Sequence, residues 1–166
     1  MSFIMKATLK LLTWKRQEFK VLWKVGRMMT NQLIQIISIG TGGFWGAACR
    51  YLLSVNMSSE YAIFPVGTLT VNLLGSFTLG FFITLTMIRW NIDNNLRLAI
   101  ATGFFGSFTT YSTFALETVN LFSGGYPAAA VLYVAVSFLG CFLLAFAGIR
   151  LAEVAAGGAA RKDEEN

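Results

Sequence analysis

Four long apolar segments separated by short polar connections dominate the pattern of the chain. They run at about 33–55, 66–88, 96–122 and 127–151. Each reaches the ~20 residues that a helix needs to cross a bilayer core of ~30 Å. The connections are rich in Pro, Gly, Asn and Ser, which favour turns. The pattern therefore predicts an all-α membrane protein with four transmembrane helices, in which sequential helices are antiparallel neighbours.

The two ends of the chain are more polar than the middle. Residues 1–31 mix cations with large apolar residues, which predicts a basic amphipathic helix at the membrane interface. A translation start at Met28 or Met29 is an equal alternative for this extension. We thus divide the chain into the extension 1–31, a transmembrane domain 32–152 and a polar C-terminal tail 153–166.

Composition supports a membrane protein and argues against an enzyme. Hydrophobic residues make up 55% of the chain and charged residues 13%, against about 25% charged in soluble domains. There is no His, so the usual general base and commonest metal ligand are missing. No nucleophile–base pair or metal constellation is evident. Cys49 and Cys141 lack CxxC spacing, so we interpret them as packing residues.

The positive charge predicts an orientation in the membrane. Seven of the thirteen Lys and Arg residues precede position 28, so we expect no nucleic-acid partner. Four spans place both termini on one side, together with Arg89, Arg150 and the tail cations. The positive-inside rule then predicts cytoplasmic termini in the inner (plasma) membrane.

The third apolar segment contains the motif GFFGSFTTYSTF at 103–114. Gly103 and Gly106 weaken a helix, and β-branched or hydroxylated residues follow at once. We predict a broken helix, whose free carbonyls are able to bind a cation. The alternative is that Ser and Thr bond back to an unbroken helix and bend it.

Other polar groups are spaced along the predicted helices. Asn72 is either a pore group or interhelical glue. Tyr111 shares a face with Phe114, whose edge carries partial positive charge, and Tyr133 pairs with Ser137 at i, i+4. With Ser112 and Thr113, these groups offer neutral donors that suit a small, hard anion. Arg50 either snorkels or concentrates anions at a pore mouth, and the Gly42–Gly46 GxxxG spacing allows close helix approach.

Three motifs over about residues 36–151 resemble the Fluc/CrcB family of fluoride channels: GGFWGAACRY (42–51), GTLTVNLLGSFTLG (67–80) and GFFGSFTTYSTF. The resemblance implies an antiparallel dimer with two fluoride pores. It also implies a structural sodium ion held by backbone carbonyls of both subunits, at positions that match Gly106 and Thr109. We expect a fluoride-selective channel that lets cytoplasmic fluoride leave passively and so reduces its toxicity.

The resemblance also assigns positions along the pore. Asn72, Phe114, Tyr133 and Ser137 match pore residues, and Arg50 matches the arginine of the first motif. Tyr111 departs from the family by replacing a pore phenylalanine: it keeps the aromatic edge and adds a hydroxyl, which we expect to change the conduction rate and not the choice of ion. The charge bias is a second departure, since homodimers of the family insert in both orientations. We therefore weigh a homodimer with dual topology against a heterodimer with an oppositely oriented paralogue.

Two other functions compete with the channel. A small proton-coupled multidrug exporter needs a titratable carboxylate deep in the membrane, and the only candidate is Glu117, near a helix end. A non-transporting membrane scaffold explains the helices but leaves the track of polar groups without a role.

Overall fold

The computed structural model describes the backbone of residues 2–57 and 63–164, and the side chains of residues 20–57 and 63–157. All regular elements in these ranges are helical. They are α1 (Ser2–Met57), α2 (Val66–Ile88), α3 (Asn94–Leu98), a π-helix (Ala99–Phe104), α4 (Phe105–Phe108), α5 (Tyr111–Ser123) and α6 (Pro127–Glu164).

The second and fourth predicted spans correspond to α2 and α6. Helix α2 has the predicted bounds, and α6 begins at the predicted Pro127, a residue suited to a first turn. Within the described residues, two helices are long and apolar enough to cross a membrane, Val66–Ile88 and Pro127–Gly157. In the most apolar 18-residue stretch of each helix, only 22% and 17% is buried, whereas the core helix of a soluble protein is mostly buried. Helix α6 continues past 151 into the predicted tail.

The first predicted span, 33–55, lies within the long helix α1. That helix also contains most of the predicted extension 1–31. The chain forms two compact units, Met1–Ile37 and Ser38–Asn166. In the first unit, the guanidinium of Arg27 lies 5.4 Å from the ring centre of Trp23, a cation–π arrangement.

Within the second unit, the main packing is between α2 and α6. One buried cluster joins α5 to α6 and contains Phe114, Leu121, Ala130 and Tyr133. Many large apolar side chains of α6 remain exposed instead, among them Phe142 at 72% and Leu139 at 64%. An apolar outer surface of this kind suits contact with lipid or with another chain.

The predicted close approach at the GxxxG spacing of α1 is confirmed. A Cβ at Gly42 would overlap the carbonyl oxygen of Ala99, and a Cβ at Gly46 would overlap that of Phe104. Both oxygens belong to the π-helix. Only glycine therefore allows α1 to lie against this backbone.

The third apolar segment is a series of short elements. The Asp93 carboxylate accepts from the Asn95 N–H (2.8 Å) and caps α3. Arg97 Nη2 donates to the Thr86 carbonyl in the last turn of α2 (2.9 Å). Helix α4 ends at Phe108, Thr109 (ψ 153°) and Thr110 (φ −142°, ψ 123°) are extended, and α5 begins at Tyr111. The helical conformation is interrupted at the two threonines, three residues beyond Gly106.

Candidate functional site

An open groove of about 510 Å³ lies beside the Thr109–Thr110 interruption. It is bordered by α2, α5 and α6. Its lining is Asn72, Ser76, Leu79, Thr109, Thr110, Tyr111, Phe114, Ser137, Phe138, Cys141 and Phe142. These residues, all within the described ranges, carry hydroxyl, amide, thiol and aromatic groups but no formal charge. The groove lining therefore combines a few separate uncharged polar groups with apolar surface between them.

Several residues predicted from the sequence meet in this groove. Asn72, Tyr111, Phe114 and Ser137 line it together with Thr109. Three others lie behind the lining: Ser112 and Thr113 approach Thr110, and Tyr133 packs on Phe114. Arg50 on α1 and Gly106 on α4 are not part of the lining. Cys49 and Cys141 are both free thiols.

The Asn72 side chain forms two hydrogen bonds with the backbone of Thr110. Its Nδ2 donates to the Thr110 carbonyl (3.0 Å), and its Oδ1 accepts from the Thr110 N–H (2.8 Å). The amide thus pairs with an extended residue much as a neighbouring strand would. Helix α2 is thereby bonded to the point where the next helix is interrupted.

The Thr110 side chain begins α5. Its Oγ1 accepts from the Thr113 N–H (3.2 Å), which is an N-cap bond, and donates to Thr113 Oγ1 (2.9 Å). Ser112 Oγ lies 3.4 Å from the same Thr110 oxygen. Three predicted hydroxyl positions therefore form one capping cluster beside the groove.

These bonds deprive two carbonyls of their usual helical donors. In an unbroken helix, the Thr110 N–H would donate to Gly106 and the Thr113 N–H to Thr109. Here the first donates to Asn72 and the second to Thr110 Oγ1. Backbone carbonyl oxygens are ligands for hard cations. Within the described residues, no group of three or more His, Cys, Asp or Glu side chains offers an alternative metal site.

Ser137 is the most distinctive polar group of the groove. Its side chain is 7% exposed, and its Oγ has no hydrogen-bond partner in the described part of the chain. Buried hydroxyls are normally bonded. The residue borders the groove, although its Oγ is itself buried, so a small local movement would bring this unbonded hydroxyl to a species that enters there.

Aromatic rings line the same groove or pack directly behind it. Phe114 lies 5.1 Å from Tyr133 and meets Phe138 edge-on at 6.1 Å, measured between ring centres. Tyr111 lies 5.8 Å from Phe114 and is 75% exposed. Aromatic edges carry partial positive charge, so a ring that turns its edge towards the groove would add a neutral group able to favour an anion.

The Glu117 carboxylate, considered from the sequence only for an exporter, lies behind the aromatic wall with hydrogen-bond partners that were not predicted. Glu117 Oε1 accepts from Thr68 Oγ1, and its Oε2 accepts from the Tyr133 hydroxyl, both at 2.7 Å. The three residues lie on α5, α2 and α6, so no spacing along the chain brings them together. Tyr133 thus contacts the groove residue Phe114 with its ring, while its hydroxyl is bonded to Glu117.

An apolar outer surface, two membrane-capable helices and an uncharged polar groove define an all-helical membrane protein. The chain belongs to the CrcB family: the family described as "CrcB-like protein, Camphor Resistance (CrcB)" matches residues 37–149. This range contains α2, the interrupted segment and most of the hydrophobic part of α6.

Curated relatives support the same assignment. The chain is 40% identical to proteins named fluoride-specific ion channel FluC from Ruminiclostridium cellulolyticum and Chlorobium chlorochromatii. The alignments cover 76% and 78% of this chain and 98% and 100% of the relatives. A FluC from Methanocaldococcus jannaschii is also 40% identical, over 71% of this chain and 94% of that protein.

Proposed function

We propose that this protein is a fluoride-selective ion channel in the cell membrane and not an enzyme. The observation that carries the proposal is the unbonded Ser137 hydroxyl in a groove with aromatic walls. Fluoride is a small, hard anion with a large hydration energy, so a pore must replace its water by directed donors. The Ser137 O–H and the Phe114 edge are donors of this kind.

Neutral donors also allow the ion to leave. Conduction requires binding that is favourable enough for entry and weak enough for exit, and a fixed cation in the groove would hold fluoride more tightly. The membrane potential supplies the direction, since 100 mV, inside negative, adds about 2.3 kcal/mol per charge expelled. Cytoplasmic fluoride then leaves passively, and its toxicity is reduced.

The working assembly in this proposal is an antiparallel dimer of four-span subunits. The third span consists of the elements from Asn94 to Ser123 and is broken at Thr109–Thr110. The apolar surfaces exposed in the single chain are then covered by a second subunit and by lipid. Gly106 is exposed, and a Cβ placed there would have no neighbour within 4 Å, which leaves room for a partner.

A structural sodium ion at the dimer centre completes the proposal. The carbonyls of Gly106 and Thr109 are its ligands, contributed by each subunit. Their helical donors are both bonded elsewhere, so the oxygens are available. Arg50 is half-buried and Tyr133 is buried, and neither lines the groove. In this proposal, Arg50 draws anions towards a pore mouth, and Tyr133 supports Phe114.

The arrangement of Glu117 argues against the multidrug exporter. An exporter needs its carboxylate open to protons and cationic substrates, whereas Glu117 accepts from two hydroxyls and does not line the groove. A scaffold, the other alternative, has no use for an unbonded hydroxyl in a polar groove.

Growth of a bacterial strain that lacks its own fluoride exporter tests the function in cells. Expression of the wild-type chain should restore growth in millimolar-range fluoride, and Phe114→Ile should not. Phe122→Ile is the matched control, because Phe122 lies on the same helix, is half exposed and does not line the groove. Equal growth with the empty vector and the wild-type chain would contradict the proposal.

A further inference from the structure

We propose that Asn72 is a positioning residue for the cation site: its side chain holds Thr110 so that the Gly106 and Thr109 carbonyls stay free. The sequence alone leaves Asn72 as either a pore group or interhelical glue. The inference rests on the proposed function in one respect, since it takes these two carbonyls as cation ligands. The hydrogen bonds that support it are independent of the transported ion.

The direction of the Asn72 amide is fixed by its partners. Thr110 presents an N–H, which needs an acceptor, and a C=O, which needs a donor. Rotating the amide by half a turn would set donor against donor and acceptor against acceptor. The observed pairing, at 2.8 and 3.0 Å, satisfies both backbone groups of a 7% exposed residue.

The first consequence concerns Gly106. Its carbonyl is four residues before Thr110 and would accept the Thr110 N–H if α4 continued for one more residue. Asn72 Oδ1 competes for that N–H. Without the Asn72 side chain, the buried Thr110 N–H would need another acceptor, and Gly106 is the one that helix geometry provides. That bond would turn the Gly106 oxygen away from a cation.

The second consequence concerns Thr109. The bond from Asn72 Nδ2 to the Thr110 carbonyl helps to keep Thr110 extended, and the extended residue directs its Oγ1 to the Thr113 N–H. In a regular helix, the Thr109 carbonyl would accept a hydrogen bond from this N–H. One side chain on α2 thus keeps both carbonyls free, directly at Gly106 and through Thr110 at Thr109.

The sodium dependence of fluoride efflux from proteoliposomes tests this role. In Asn72→Leu, the sodium concentration that gives half-maximal efflux should rise by about tenfold, the ratio expected from losing one or two ordinary hydrogen bonds. Ser76→Ala is the matched control. Ser76 lies one turn further along α2 and lines the same groove, so its loss is expected to change the flux and leave the sodium dependence as in the wild type. A lower flux in Asn72→Leu with unchanged sodium dependence would make Asn72 a pore group only and overturn the inference.

Hydrogen exchange resolved to single residues provides a test that needs no transport, and its first part needs no variant. In the wild-type protein, the Thr110 amide should be protected although it lies between two helices, because it donates to Asn72. Exchange of this amide at the rate of an unbonded loop amide would refute the inference. In Asn72→Ser, whose side chain is shorter, the Thr110 amide should exchange about tenfold faster. Protected Thr110 in a protein without fluoride efflux would retain the positioning role and reject the proposed function alone.

Discussion

The buried Ser137 hydroxyl has no partner in the described residues, so the proposed channel would use it as a donor to the anion. We expect Ser137→Ala to lower fluoride efflux about tenfold or more, since the mutation removes a donor that binds a charged species. Thr84→Val is the control, because the Thr84 hydroxyl is already bonded to the Gly80 carbonyl (2.8 Å). Wild-type efflux in Ser137→Ala would remove this hydroxyl from the fluoride path.

The Glu117 network should matter for stability. Tyr133→Phe and Thr68→Val each remove one hydroxyl that donates to the carboxylate, and both residues are buried. Glu117 is part-buried, so leaving one of its oxygens unsatisfied should cost at most about 1–3 kcal/mol, and each variant should unfold at a lower temperature than the wild type in detergent. Thr118→Val is the comparison, since its hydroxyl bonds only to its own helix at Phe114. Melting temperatures equal to that of the Thr118 variant would mean that the network adds no stability.

At the residue scale, the sequence shows which polar residues matter better than it shows their hydrogen-bond partners. The hydroxyls of the 103–114 motif, Asn72 and the Tyr133–Ser137 pair were recognisable, because polar groups in an apolar segment need a reason. Which of these residues line the groove and which support the helices could not be recognised from the sequence. Tyr133 donates to Glu117 and Asn72 pairs with the Thr110 backbone, and such contacts between helices have no signature in local spacing.

At the scale of elements, the apolar pattern predicts the bounds of α2 and an interruption in the third segment, but the glycines alone do not give the residues at which the interruption falls. Helix α2 has the predicted bounds because 66–88 is continuously apolar and is followed by turn residues. The interruption in the third segment was expected from its glycines but falls at Thr109–Thr110. At that position the Thr110 N–H is bonded to Asn72 on another helix, and Gly103 is instead accommodated in the π-helix against α1.

The contact between α1 and the π-helix should tolerate no side chain at Gly46. Gly46→Val should destabilise the protein by at least about 1–3 kcal/mol, the usual cost of overpacking, because its Cβ would overlap the Phe104 carbonyl. Thermal unfolding in detergent measures the effect. Gly40→Ala is the matched control: a Cβ at Gly40 has no neighbour within 4 Å, so alanine should be neutral or stabilise by up to about 1 kcal/mol. Equal stability of both variants would contradict the close approach.

At the scale of the whole molecule, the charge distribution predicts one dominant orientation. Seven of thirteen cations precede position 28, and the positive-inside rule favours cytoplasmic termini. A tag at either terminus should therefore be inaccessible from outside intact cells that express this chain alone. In the proposed antiparallel assembly, such a bias calls for an oppositely oriented paralogue, and the growth and efflux measurements are then made with both chains present. Finding tags on both sides of the membrane would instead favour a dual-topology homodimer.

The central claim is that fluoride crosses the membrane through the groove beside Phe114. The most direct measurement is ion efflux from liposomes that contain the purified protein, recorded with fluoride and with chloride electrodes. We predict fast fluoride efflux, little chloride efflux, loss of the fluoride signal in Phe114→Ile and its retention in Phe122→Ile. Equal efflux of the two halides, or fluoride efflux that survives Phe114→Ile unchanged, would contradict the account.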